Sequence, residues 1–329
     1  MKLLSLFCGC GGLDRGFESA GFATELAYDL RPNSVKSWIK NTCQGKAMVR
    51  DVTTLTNEVL DHDYGDEFKP DGVIGGPPCQ GFSSANRKGS VGDPRNQLVV
   101  SFFNIALSLH KRRQLKFIVM ENVPAIKGKR GGDLLDKQMV RLKKAGFEIY
   151  VDVLNAQNYQ VPQRRKRLFL IAINSTFTKE FTFKFPEPLS TTLTVRDAIY
   201  GLPEPMKFRP GLTQSDIKFH QNHWCMQPKS EKFKSGVLKE GYTGRRSFKT
   251  LFWDQPSYTA SYGNREVHIH PSGKRRLSVY EAMLIQGFDP KTRLMGTMSE
   301  QITQVSEAVP PPLGKAVAVQ LTNFFRHSG

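Results

Sequence analysis

The chain has 329 residues, 39% of them hydrophobic, enough for a large packed domain with a smaller one beside it and too apolar for bulk disorder. Its 47 Lys and Arg against 30 Asp and Glu leave a formal net charge of +17, which points to a polyanionic partner such as nucleic acid, a merely basic surface being the alternative. No run of about 18 apolar residues exists, so no membrane span is expected, and glycines interrupt the N-terminal Met1–Phe7 stretch where a signal-peptide core would continue.

In chain order, short apolar runs alternate with amphipathic stretches. Strands are expected at Leu3–Phe7, Ala23–Tyr28, Ala47–Val49, Gly72–Ile74, Phe117–Met120, Ile149–Leu154 and Leu168–Ile173. Helices are expected at Leu13–Ala20, Ser34–Asn41, Gln97–His110 and Leu134–Ala145. This alternation predicts an α/β fold: a doubly wound, mostly parallel sheet covered by helices on both faces. Ligands of such sheets bind at the carboxyl ends of the strands. From about Asn174 to Thr303 the pattern gives way to Pro/Gly clusters with interspersed Arg, Lys, Trp and Tyr, and a helix is expected again in the Pro310–Phe325 tail. The expected organisation is a cofactor-binding domain of residues 1–173 plus 304–329, with a smaller irregular domain of residues 174–303.

Phe7-Cys8-Gly9-Cys10-Gly11-Gly12 joins a strand to a helix, as a turn that admits close backbone approach of a ligand does. Asp29 ends the next strand, at a distance suited to a ribose diol. The glycine spacing matches neither the dinucleotide fingerprint nor a Walker loop, which favours a nucleoside-like cofactor. Asp51, at the end of the third strand, is a candidate acceptor for an adenine amino group, or an ordinary cap.

Gly75-Gly76-Pro77-Pro78-Cys79-Gln80 follows a buried strand, so Cys79 is expected at the same sheet edge. Prolines stiffen the approach, and flanking glycines argue against a thiol that merely fills the core. The basic loop onward to Arg95, with Ser83, Arg87 and Lys88, suits closure over a phosphate backbone. Glu121-Asn122-Val123 ends another strand at that edge, and Gln163-Arg164-Arg165-Lys166-Arg167 opens the last one. The five cysteines (8, 10, 43, 79 and 225) fit neither a disulfide framework nor zinc spacing. Reduced thiols, a cytoplasmic setting and no metal are therefore expected.

Taken together, the glycine turn, Pro-Pro-Cys-Gln, Glu-Asn-Val and the Gln-x-Arg-x-Arg run resemble the DNA (cytosine-5) methyltransferases, in their compact bacterial form. The segments Arg276-Leu277-Ser278 with Glu281, Gln286-Gly287-Phe288 and Ala308-Val309-Pro310 extend the likeness over nearly the whole chain. The resemblance implies methyl transfer from S-adenosylmethionine to C5 of a flipped-out cytosine in duplex DNA. It implies Cys79 as nucleophile, Glu121 at cytosine N3 and Arg165 holding the base, with Gln163 and Arg167 organising. It further implies a cofactor pocket of Phe7, Gly9, Gly11, Asp29, Asp51, Pro77 and Leu98, and a target-recognition domain in which Arg245, Arg246 and Arg265 are expected to touch DNA. A bacterial, monomeric modification enzyme with a cognate restriction endonuclease is the expected setting. Four departures stand out: Asp29 for glutamate, Gln160 for a usual glycine, Tyr280 for a frequent arginine, and Ser306-Glu307 for Gly-Asn. The competing expectations are an RNA methyltransferase with the same catalytic set, a catalytically dead DNA binder, and a dehydrogenase.

Overall fold

The computed structural model describes all residues except 43, 79–95, 129–131, 245–247, 260–267 and 328–329. Its contacts divide the chain into two compact units: residues 1–154, 166–187 and 314–329, and residues 155–165 and 188–313.

The first unit is built on a seven-stranded sheet. In chain order its strands are β1 (Lys2–Leu6), β2 (Ala23–Asp29), β3 (Lys46–Val49), β4 (Gly72–Gly75), β5 (Phe117–Asn122), β6 (Phe147–Asn155) and β7 (Lys166–Asn174). They lie in the order β3-β2-β1-β4-β5-β7-β6. Strands β1 to β5 pair in parallel, whereas β7 runs antiparallel to β5, Glu121 facing Phe169. The helices are α1 (Gly12–Glu18), α2 (Pro32–Asn41), α3 (Asn57–Tyr64), α4 (Asn96–Arg112) and α5 (Gly132–Lys144). The chain winds from β1 outward to β2 and β3, then returns to the other side of β1 with β4. The switch point lies between β1 and β4, where a doubly wound sheet opens a crevice for ligands.

Every expected strand and helix of this half is present, with ends shifted by a few residues. Not anticipated were α3, a short polar helix capped by Thr56, and the direction of β7. The strands of the sheet centre are apolar on both faces, because helices cover both: β5 is buried at all six positions, and Leu3, Leu4 and Leu6 of β1 are fully buried. Leu4 and Leu6 share one core with Phe102, Phe103, Ile118, Met120, Leu168 and Leu170.

The second unit contains α6 (Val195–Ile199), α7 (Val279–Ile285) and α8 (Met298–Glu307), with two small parallel ladders, β8 (Met206–Lys207) with β9 (Trp224–Cys225) and β10 (Lys249–Thr250) with β11 (His268–Ile269). Its regular structure is sparse, as its composition suggests. Polar bonds hold it together: Arg275 is bidentate to the fully buried Glu281 at 2.8 Å on both arms, and Glu281 also closes a capping box with Ser278. Tyr280, at the arginine departure, stacks on His220 with ring centroids 4.0 Å apart. The final helix, α9 (Pro311–His327), joins the first unit from Gly314 onward; Thr322 donates to the Ala20 carbonyl and Phe325 packs on Phe117.

The units divide the chain elsewhere than at the expected 173/174 and 303/304. Residues 175–187 stay with the sheet, since Phe183 packs on Tyr150 and Phe324. Residues 155–165 pair instead with the second unit, where Arg164 N–H donates to Ser257 and Thr259 to Arg164. Residues 304–313 follow α8 into the same unit. Gln160, where glycine was expected, takes the left-handed conformation (φ 58°) that the glycine would supply, so the backbone requirement is kept at a steric cost.

Glycine is a steric necessity in β4. A Cβ on Gly75 would lie 2.3 Å from the Leu6 carbonyl oxygen and 2.9 Å from the Phe102 ring. Gly75→Ala is expected to lower unfolding free energy by about 1–3 kcal/mol, the usual cost of overpacking, read from urea denaturation.

Candidate active site

The turn after β1 is the first component. Phe7, Gly9 and Gly11 all have positive φ (57°, 54° and 87°), three left-handed residues within five. For Phe7 this is strained backbone, held by the packed surroundings of the turn. Gly11 sits on the indole of buried Trp38: a Cβ there would be 2.9 Å from Trp38 Cδ1. Around Gly9 nothing among the described residues lies within 4 Å of the same construction. The amides of Cys8, Gly9 and Gly11 are each engaged, donating to Tyr28 O, Asp29 Oδ2 and Cys8 O. The turn therefore offers a ligand an open backbone face at Gly9.

Asp29 ends β2 as expected. Gly9 N–H donates to its Oδ2 at 3.0 Å and Arg31 N–H to its Oδ1 at 2.9 Å, fixing the carboxylate at the carboxyl edge of the sheet. Leu30, the next residue, is 65% exposed, and Val49, the β3 partner of Asp29, is 47% exposed. Two bare aliphatic side chains flanking a fixed carboxylate make an apolar shelf, and sequence reasoning passed over both. Asp51 lies two residues beyond β3 and is exposed; its Oδ1 accepts from Thr53 N–H and Thr53 Oγ1, so it caps a short 3₁₀ turn. Pro77 is buried beyond β4, and Leu98 is half-buried in the first turn of α4.

The second component surrounds the Gly-Gly-Pro-Pro approach. Asn122 Nδ2 donates to Pro77 O at 3.1 Å, tying the end of β5 to the approach. Glu121 Oε1 accepts from Arg167 Nε at 2.9 Å. Glu121 Oε2 faces Gly76, where a Cβ would be only 3.0 Å away. The carboxylate is thus clamped between a guanidinium and the backbone three residues before Cys79. Arg167 is itself largely buried; burial lowers its pKa and Glu121 opposes that shift, and guanidinium remains charged.

Arg165 has a different environment. It belongs to the other unit, is fully buried, and its Nη2 donates to the carbonyls of Ser306 at 2.8 Å and Ala308 at 3.1 Å. Gln163 donates to Gln286 at 2.7 Å, and Gln286 to Ala308 O at 2.7 Å. The two arginines of the Gln-x-Arg-x-Arg run thus exchange the surroundings expected of them: the one expected to hold the base is enclosed by main-chain carbonyls, and the one expected to organise lies on Glu121. Cys79, Ser83, Arg87, Lys88, Arg245, Arg246 and Arg265 lie outside the described residues.

The described thiols, Cys8, Cys10 and Cys225, are buried and unsuited to nucleophilic work, and Cys43 lies outside the described residues. Burial pushes Cys10 up to about 12, Cys225 up to about 11, and Cys8 well above its ordinary value. Among the described residues no group of His, Cys, Asp and Glu is arranged to hold a metal, and no helix is long and apolar enough to cross a membrane.

With this geometry in view, the likeness to known proteins becomes specific. The model of the C-5 cytosine-specific DNA methylase family matches residues 1–323. The chain belongs to that family. It is 30% identical over 347 residues to the Type II methyltransferase M.FnuDI of Fusobacterium nucleatum, covering 98% of this chain and 94% of that one. It is 30% identical to M.MthTI of Methanothermobacter thermautotrophicus, covering 98% and 97%. Among solved structures, an E. coli prophage-encoded protein described as a DNA modification methyltransferase superposes with TM-score 0.82 at 23% identity over 99% of both chains. The S. pombe Dnmt2 methyltransferase superposes at 0.67 and 16% identity, covering 99% and 98%. These two share the fold. The family is S-adenosylmethionine-dependent, and DNA is the substrate expected of its members.

Asp14, in the first turn of α1, is fully buried, which pushes its carboxyl up to about 6, while the Ser5 hydroxyl and Trp38 indole beside it act the other way. Because the folded state holds this proton more tightly than the unfolded chain, Asp14 makes stability fall as pH rises from about 4 to about 6, with no further change above. Asp14→Asn removes that dependence. Its unfolding free energy relative to the parent should rise across this window by on the order of 3 kcal/mol, at about 1.4 kcal/mol per pKa unit, and then level off in urea titrations at stepped pH.

Proposed function

We propose that the chain transfers the methyl group of S-adenosylmethionine to C5 of a specific cytosine flipped out of duplex DNA, with Cys79 as covalent nucleophile. The observation that carries this reading is the clamped Glu121: one carboxylate oxygen on Arg167, the other facing the backbone that leads to Cys79.

S-adenosylmethionine, when bound, supplies an electrophilic sulfonium methyl group. Its nucleoside would lie over the turn at Gly9, with Asp29 as acceptor for the ribose diol and Leu30 and Val49 against the adenine faces; the open Cα of Gly9 and the exposed aliphatic pair fit such a group. Asp51 retains Oδ2 for the adenine amino group. Phe7, Gly11, Pro77 and Leu98 complete the pocket.

Cytosine C5 is a weak nucleophile. The Cys79 thiolate adds to C6, breaking the C5–C6 double bond and driving electron density to C5, N3 and O2. Glu121 Oε2 hydrogen-bonds N3, and the proton is shared between them as negative charge develops. Arg167, held at Oε1, orients that carboxyl and supplies positive charge toward O2, so it takes the base-holding role first assigned to Arg165. Carbon 5 then forms the bond to the methyl carbon as the methyl–sulfur bond breaks. Loss of the C5 proton, to water as base, returns an electron pair to C5–C6 and expels the thiolate. A cytosine within the stack cannot present C6 to Cys79, so extrusion at a cost of a few kcal/mol precedes these steps. The basic loop through Ser83, Arg87 and Lys88 is suited to close over the site, and the second unit to read the DNA sequence, with Arg245, Arg246 and Arg265 among its contacts. A bacterial cytoplasmic monomer modifying each strand in turn, alongside an endonuclease cutting the same site, is the setting we infer.

Duplex DNA with 5-fluorocytosine at every cytosine tests the reaction, because fluorine cannot leave as a proton. Labelled S-adenosylmethionine should give a denaturation-resistant, labelled protein–DNA band, absent in Cys79→Ser. DNA binding without any such band would defeat the proposal.

The two arginines separate by kinetics. Arg167→Ala is expected to lower kcat of the folded protein by about 10²–10³-fold, as loss of a charge-stabilising donor does, and also to lower the melting temperature, because it leaves the buried Glu121 carboxylate without its guanidinium. Arg165→Ala should lower the melting temperature, because it leaves two buried carbonyls without their donor, with kcat of the folded fraction much less affected than in Arg167→Ala.

A further inference from the structure

Five side chains of the second unit form a basic–aromatic cluster that none of the preceding roles uses. Lys232 Nζ lies 5.1 Å and Arg276 Cζ 5.0 Å from the centroid of the Phe248 ring. Lys249 Nζ lies 5.2 Å from the centroid of Tyr258. The two cation–ring groups lie on neighbouring segments: Lys249 is the register partner of His268, and Ile269, the next residue, bridges to Arg276. Phe248 is fixed in turn, its carbonyl accepting from Gly244 N–H, where any Cβ would lie 2.7 Å from that oxygen.

The charges in this cluster are of one sign. Among the described residues neither Lys232 nor Lys249 forms an ion pair. Nearby Glu231 is committed to Lys234 at 2.9 Å, and Glu240 accepts from Trp253 N–H. His268, buried between the cations, is pushed down to about 3 by burial and by Lys249 and Arg276, so it adds neither charge nor counter-charge. Cation–π attraction draws long side chains onto rings and holds them there against their own entropy and mutual repulsion. Such an assembly is preorganised for an anion with several charges.

We propose that Lys232, Lys249 and Arg276, seated on Phe248 and Tyr258, form a face that contacts the phosphate backbone of duplex DNA, apart from the reacting base. This rests on the reading above that duplex DNA is the substrate. The ring faces carry cations, so they are not open for base stacking. The contact is therefore with phosphates and independent of sequence. In the amino-acid sequence Phe248, Lys249 and Tyr258 stand between Arg245-Arg246 and Arg265, the residues expected to touch DNA.

The test is the salt dependence of DNA affinity. Fluorescence anisotropy of a labelled duplex, between about 50 and 200 mM salt, gives the slope of log Kd against log salt. Lys232→Gln and Lys249→Gln are each expected to reduce the slope by about 0.9, the value for one lost phosphate contact, and the double variant by about 1.8. The losses should be equal on cognate and unrelated duplexes, and Lys232→Arg should retain the parental slope. Unchanged slopes in both glutamine variants, with unaltered melting temperatures, overturn the proposal, as does a loss confined to one DNA sequence. The 5-fluorocytosine adduct of the unmodified protein keeps the two readings apart. An adduct with unchanged slopes sinks only the phosphate face. Reduced slopes without an adduct leave the face standing and remove the methyl-transfer reading.

Discussion

The site depends on how closely the backbone of β4 and its extension approaches its neighbours. Gly72 lies against the Phe117 ring and Gly75 against the Leu6 carbonyl and Phe102, with no room for a Cβ at either, and a Cβ on Gly76 would be tight against Glu121 Oε2 at 3.0 Å. Glycine here lets β4 sit between β1 and β5 and still lead directly under the carboxylate. A Cβ at Gly76 would press on Oε2 at 3.0 Å and push the carboxylate aside by a few tenths of an ångström.

A clamped carboxylate is worth more to catalysis than a mobile one. Glu121 is nearly buried, with Arg167 as its partner on the neighbouring strand, and a buried pair gains from the low local dielectric while remaining hydrogen-bonded. The cost is desolvation of both groups, and the pair sits on the hydrogen-bonded neighbours β5 and β7. Their antiparallel pairing is what permits the arrangement. Glu121 stands near the end of β5, and Arg167 near the start of β7; the same ends meet only if the strands run in opposite directions.

Much of this was legible in the sequence, for identifiable reasons. Strands buried on both faces read as apolar runs, and the position of Asp29 at the end of β2 followed from the order strand, glycine turn, helix, strand, acid, whereas its bond from Gly9 N–H was not foreseen. The direction of β7 leaves no mark in composition, since a strand buried between helices looks the same either way. Helices α7 and α8 did carry a signal, Ser278-x-x-Glu281 and Thr297-x-x-Glu300, both capping boxes in the structure; surrounding prolines and glycines hid it. The exposed shelf of Leu30 and Val49 was invisible because exposure is a tertiary property. Arg165 and Arg167 have near-identical local sequence, and their separation arises because the boundary between the two compact units falls at the residue between them.

That boundary also explains which departures from the family pattern the chain can carry. Arg165, Gln163 and Gln286 join three segments distant in sequence, and the acceptors that close the network at Ser306 and Ala308 are main-chain carbonyls. A carbonyl is present whatever the side chain, so Ser306-Glu307 in place of Gly-Asn leaves the bonds intact as long as the backbone keeps its path. Gln160 follows the complementary logic. There the constraint is on φ itself, and a residue other than glycine satisfies it only by accepting strain. Positions read through the backbone tolerate substitution in proportion to how little their conformation asks of the side chain, whereas Glu121 and Arg167, whose ion pair is made by their side chains, have no such latitude.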